Sequence, residues 1–165
     1  MPLCNYATVS PDGRWAAASP WGGRDVKVWE LPGGRVALHL TNGMAALSFT
    51  PDGHGLMISA SDRNEFLEVG TWRTVFRVLK ERAALPGLAV SPDSRWVALR
   101  HPSHQVQLCE AQTLNPILAV EGDSEWPVRF SPDNSFLLTR RSTGQFCLWN
   151  LRLVREELTP LGLGW

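Results

Sequence analysis

The chain has 165 residues and is 44 % hydrophobic, which is enough apolar side chain to bury a core and too much for a disordered segment. Its 16 basic and 16 acidic residues cancel, so no net field steers it to nucleic acid or to an anionic membrane. There is no run of about eighteen apolar residues and no charged-then-apolar leader, so neither a membrane span nor a signal peptide is expected.

In chain order, the first apolar runs are Tyr6-Ala7-Thr8-Val9, then Ala16-Ala17-Ala18, then Val26-Lys27-Val28-Trp29, then Val36 to Leu40. They are short, mostly rich in β-branched or aromatic residues, and bounded by Gly, Pro, Asn or Asp, which is how strands read. Between the first and second runs stands Ser10-Pro11-Asp12, followed by Gly13. Proline presets a turn φ, Asp and Gly favour a tight reversal, and the serine hydroxyl can bond the backbone across it. A hairpin is the expected result.

The same order then recurs three times. Thr50-Pro51-Asp52, Ser91-Pro92-Asp93 and Ser131-Pro132-Asp133 follow the first motif at steps of 40, 41 and 40 residues. Four residues past each proline stand Trp15, Gly55, Trp96 and Phe136. The third runs close on Trp29, Val69, Cys109 and Trp149, and fourth runs at Val75–Leu79 and Ile117–Val120 complete the second and third units. A fixed period of this size means one supersecondary unit repeated in a row. The expected units are about 4–40, 44–79, 86–120 and 126–150, in one region spanning 1–165. At Asp12, Asp52, Asp93 and Asp133 the motif reads as a structural device, not as chemistry.

Four strands in about forty residues, with Trp29-Glu30 and Trp149-Asn150 where a Trp-Asp pair usually ends the third strand, resembles the WD-repeat family of β-propellers. The resemblance covers about residues 7–150 and implies an all-β fold of four consecutive four-stranded antiparallel blades, a partial or half propeller. Val69-Gly70 and Cys109-Glu110 replace the signature pair in the middle units, and no unit has the family's Gly-His before its first strand. The family's hydrogen-bonded network of His, Ser or Thr, Asp and Trp is therefore expected to be incomplete in every blade, which leaves apolar packing between neighbours to hold the array.

Only three units own a good fourth strand, and Met1-Pro2-Leu3 leaves little room for one ahead of the first. Three completions are open: the C-terminal part of a larger propeller (favoured), self-association into an eight-blade ring, or a solitary four-blade array. After Asn150, Leu151, Val154 and Leu158 recur at helical spacing and Pro160 stops the pattern, so 151–165 is expected to be a capping helix and tail. This tail resembles the end of WD-repeat regions in bacterial multidomain proteins linked to serine/threonine kinases.

No phosphate-binding glycine loop, nucleophile elbow or His-Glu-x-x-His motif occurs, and the expectation is that the chain is not an enzyme and takes no cofactor or metal. His101 and His104 could present two imidazoles but lack a third ligand nearby. Cys4, Cys109 and Cys147 are an odd, widely spaced set, with Cys109 and Cys147 inside strands, which points to free thiols in a reduced, cytoplasmic setting. What remains is binding of a protein or peptide. The loops joining strand two to strand three and strand four to strand one share a rim that carries Trp21, Arg24, Arg63, His101, His104, Trp126, Arg140 and Arg141, and Trp and Arg are enriched at binding hot spots. The expected function is a non-catalytic interaction scaffold. Its alternative is a sensory portion of a larger bacterial signalling protein such as a serine/threonine kinase. The expected partners are a protein or peptide, the missing blades of a larger propeller, or a second copy of the chain, and not nucleic acid or membrane.

Overall fold

The computed structural model describes residues 4–20, 25–41, 43–120 and 125–161. Among them are fifteen strands and one short α-helix. The chain falls into two compact units, residues 1–88 and 89–165.

In the first unit, β1 (Cys4–Val9), β2 (Trp15–Pro20), β3 (Val26–Glu30) and β4 (Arg35–Leu40) form one antiparallel meander. A second is built from β5 (Ala45–Phe49), β6 (Gly55–Ala60), β7 (Arg63–Glu68) and β8 (Thr74–Leu79). In the second unit, β9 (Leu88–Val90), β10 (Trp96–Arg100), β11 (Val106–Glu110) and β12 (Pro116–Val120) make a third. The fourth has three strands, β13 (Glu125–Phe130), β14 (Phe136–Arg141) and β15 (Phe146–Asn150). The expected all-β class of antiparallel blades is observed, and the fourth blade lacks a fourth strand among the described residues, in keeping with the three good fourth runs in the sequence.

The four Ser/Thr-Pro-Asp turns are copies of one clasp. The Ser10 hydroxyl donates to Asp12 Oδ1 at 2.6 Å and accepts from the Trp15 amide at 2.9 Å. Thr50, Ser91 and Ser131 bind Asp52, Asp93 and Asp133 at 2.5, 2.6 and 2.6 Å and accept from Gly55, Trp96 and Phe136. The residue after each Asp is left-handed: Gly13, Gly53, Ser94 and Asn134 have φ of 70°, 76°, 58° and 61°. Glycine adopts this at no steric cost and Asn tolerates it. A second bond repeats on the other side of each clasp: the amides of Leu31, Val69, Ala111 and Leu151 donate to the carbonyls of Arg14, His54, Arg95 and Ser135 at 2.7–2.9 Å.

Register corrects one sequence alignment. Trp15 pairs with Glu30, Gly55 with Glu68, Trp96 with Glu110 and Phe136 with Asn150. The position of Trp29 is therefore filled by Leu67 in the second sheet, and Val69 already lies in the following turn. The cause is the tight Ser61-Asp62 connection between β6 and β7, which shortens that blade. Cys109 does occupy the equivalent position in the third sheet; it is buried, and burial pushes its thiol up to about 12.

Each unit buries one apolar face of each of its two sheets against the other. In the first, Trp15, Ala17, Val26 and Val28 pack with Leu47, Phe49, Leu56, Ile58 and Leu67. Trp72, in the β7–β8 turn, sets its ring edge-on to Trp15 at 5.0 Å and 86°. Gly55 stands where the other sheets have an aromatic residue, and the ring of Phe66 fills the gap: a Cβ at Gly55 would lie 1.8 Å from its Cζ. Phe66 in turn stacks on Phe76 at 5.4 Å. An aromatic ring laid over a strand glycine is a known way to stabilise a sheet. In the second unit, Trp96, Ala98, Val106, Leu108, Phe130 and Leu137 form the core, joined by Leu151.

Leu151 opens α1 (Leu151–Leu158), which begins where the other blades turn toward a fourth strand. Asn150 caps it by accepting from the Leu153 amide at 2.9 Å, and Arg152 pairs with Glu156 at 3.0 Å one turn on. An N-cap, an i,i+4 ion pair and an apolar stripe at period 3.6 favour helix over strand.

Two outcomes follow. Gly55→Ala drives a methyl into the Phe66 ring, and a loss of about 2 kcal/mol is expected in denaturant unfolding, by analogy with overpacked cores. Asp133 is held at about 2, below its ordinary 3.8, first by the Ser131 hydroxyl and then by Ser135, while the Ser10 hydroxyl lowers Asp12. Because the folded chain favours the carboxylate, the Asp133 contribution is present in full above pH ~4 and lost as pH falls toward ~2. Denaturation midpoints measured across that range should fall less steeply for Asp133→Asn than for wild type.

Candidate functional site: an arginine and tryptophan cluster in the second unit

The rim loops meet through backbone bonds. In the first unit, Lys80 donates its amide to the Asp62 carbonyl at 2.8 Å, and Ala84 to that of Ser61 at 2.9 Å. In the second, the Glu125 amide donates to the His104 carbonyl at 2.8 Å. The start of β13 at Glu125 thus sits beside the connection between β10 and β11, as Lys80 and Ala84 sit beside that between β6 and β7.

On this second rim the side chains converge on Trp126. The Arg100 guanidinium lies 3.5 Å from the ring centroid, within cation–π range, and that of Arg140 lies 5.7 Å from it. Arg100 also reaches His104 Nδ1 at 3.0 Å. A guanidinium only donates, so Nδ1 accepts and a neutral His104 carries its proton on Nε2. At the neighbouring positions of the same two strands is a second set of bonds. Glu125, 0 % exposed, accepts from Arg141 Nε at 3.2 Å and from the Thr139 hydroxyl at 2.6 Å. Thr139 accepts in turn from Trp149 Nε1 at 3.0 Å.

The expected network of His, Ser or Thr, Asp and Trp is incomplete in this blade as well: Trp149 and the Thr139 hydroxyl are joined, but the chain of bonds closes on the buried carboxylate of Glu125, with no His or Asp side chain in it. A buried carboxylate is tolerable only when paired and hydrogen-bonded, and Arg141 and Thr139 supply both.

The sequence-derived residues divide accordingly. His104, Trp126, Arg140 and Arg141 are brought together. Trp21 and Arg24 lie outside the described residues. Arg63 belongs to the first unit, where it binds Asp62 at 2.9 Å and Glu65 at 3.4 Å. His101 is turned to its own loop, with Nδ1 2.8 Å from the Ser103 hydroxyl, and its ring nitrogen and that of His104 have different partners. Among the described residues, no three of His, Cys, Asp and Glu are grouped to hold a metal ion.

Sequence reasoning passed over Arg100, only 3 % exposed, and the role of Thr139. Arg100 had a visible signal, since it ends the apolar strand Trp96-Val97-Ala98-Leu99 with a charge. Thr139→Val removes both bonds of the hydroxyl and leaves the Trp149 N–H and one Glu125 oxygen buried without it. A destabilisation of about 1–3 kcal/mol is expected, with Thr139→Ser recovering most of it, as read from denaturant midpoints.

No protein family matches the chain, and no curated protein does. Solved structures do: 1189 chains match. One belongs to the hydrazine synthase of Kuenenia stuttgartiensis, with a TM-score of 0.73 over 93 % of this chain and 15 % identity. The present chain spans 47 % of that chain's length. This overturns the expectation that the chain is not an enzyme insofar as it rested on the fold, because the same fold occurs in a protein whose name denotes one. The likeness is one of fold alone: these sheets are β-propeller blades.

Proposed function

We propose that the chain is a divergent propeller of the WD-repeat type whose second-unit rim binds a protein or peptide. The reading rests chiefly on Trp126, half-buried and flanked by Arg100 and Arg140, with His104 bonded to Arg100 and Arg141 to the neighbouring Glu125. The ring offers a large face at low entropic cost, and the guanidinium groups offer donors around it. The adjoining network, from Arg141 through Glu125 and Thr139 to Trp149, ties the strand that carries Trp126 to its neighbours. A rigid aromatic anchor with a polar surround suits recognition of another chain, since little order must be imposed on binding. The recurrent Ser/Thr-Pro-Asp clasp and the Trp149–Thr139 bond support the WD-type assignment.

Affinity capture from extracts of the source cell, with the whole chain as bait, tests this. The wild type is expected to retain a discrete protein that Arg140→Glu loses, with binding weakened on the order of tenfold or more, the scale of a hot-spot contact. Arg140 is exposed, so the variant should fold. Identical proteins retained equally by both baits would overturn the assignment of the rim.

A further inference from the structure

The fourth sheet turns one face to Leu137 and the second-unit core. Its other face is open, with apolar side chains on β15, where Phe146 and Leu148 are 62 % and 64 % exposed, and Arg129 opposite Leu138 on β13. Leu138 pairs with Leu148 across the sheet, and Arg140 with Phe146. Contiguous exposed apolar side chains of this size mark an interaction surface.

The first sheet has a matching open face. Trp15 and Ala17 point into the first-unit core, so alternation puts Ala16 and Ala18 on the opposite side. Across that side runs one row of paired residues, Val9 with Ala16, Ala16 with Trp29 and Trp29 with Val36. Val9 and Val36 are 58 % and 49 % exposed.

We propose that the outer face of the fourth sheet docks on the outer face of the first sheet of a second copy of this chain. Four considerations select that occupant. Within each unit, blades already bury their faces against a neighbouring blade, so a sheet face is the shape such a surface fits. The two open faces are complementary in size, with Phe146, Leu138 and Leu148 on one and the small Ala16 and Ala18 on the other, so that large side chains can seat over small ones. Every copy carries both halves, so a two-fold pair forms the contact twice and leaves neither face bare. The solved chain of the same fold is about twice as long, this one spanning 47 % of it, and two copies supply that length. The contact adjoins the Trp126 cluster, since Arg140 pairs with both Trp126 and Phe146, but Leu148 and Val9 lie outside that cluster, so their substitution tests this contact by itself.

Sedimentation equilibrium of the full chain from about 1 to 200 µM should give two copies of 18.3 kDa. Leu148→Asp and Val9→Asp, both at exposed positions, should each weaken association on the order of tenfold or more by setting a charge in the contact. Circular dichroism should show both variants folded. Mixed in equal amounts, the two variants should form a one-to-one complex, since each lends its intact face. A wild-type chain that stays at one copy throughout leaves both faces to some other occupant, such as further blades of a longer polypeptide, and overturns the proposal. Variants that self-associate as tightly as wild type overturn it equally.

Discussion

A twisted sheet with apolar side chains on both faces cannot satisfy itself, and that constraint shapes the rest of this molecule. One face is sheltered only when another sheet lies against it, and the cores are built this way: β1–β4 against β5–β8 in the first unit, and β9–β12 against β13–β15 in the second. Burial is worth roughly 25 cal/mol for each Å² of apolar surface, so the contact between sheets, more than pairing within them, holds the blades. The clasp at each Ser/Thr-Pro-Asp has a different part. It fixes where β2, β6, β10 and β14 begin, and so which residues alternate inward.

The second-unit rim shows how a charged cluster survives beside such a core. Glu125 and Arg100 are both buried, yet each has partners of fitting chemistry: the carboxylate has Arg141 and Thr139, and the guanidinium has the Trp126 face and His104. Removing one member leaves a desolvated group, which costs more than the bond itself contributes. The cluster therefore works as a unit, and its rigidity is what sets Trp126 in place.

Much of this was legible in the sequence because the signals were local. The four turns, the fifteen strands and the helix over 151–158 follow from motif spacing, period-two runs and a 3.6-residue stripe, all of which act within a few neighbours. The alignment of Val69 with Trp29 failed because register depends on loop length, and a short turn at Ser61-Asp62 displaced the strand. Trp72 was overlooked because its value lies in a ring contact with Trp15, 57 positions away in the chain. Thr139 and Glu125 were unreadable as partners for the same reason, their bond being made across a strand pair. Gly55 looked like a lost aromatic residue, whereas the ring had moved to Phe66 on the adjacent strand.

Among the described residues, every ladder joins a strand to the one next in sequence. Closing such a meander requires only short excursions of the backbone, so its entropic barrier is small compared with that of a Greek key or a parallel sheet. The pairing of each blade then draws only on its own forty or so residues, so copies can be gained or lost over evolution without rewiring the others. The same economy of topology explains how an array can keep its shape at 15 % identity to a solved relative in form: what selection must preserve is the cadence of turns, not the letters between them.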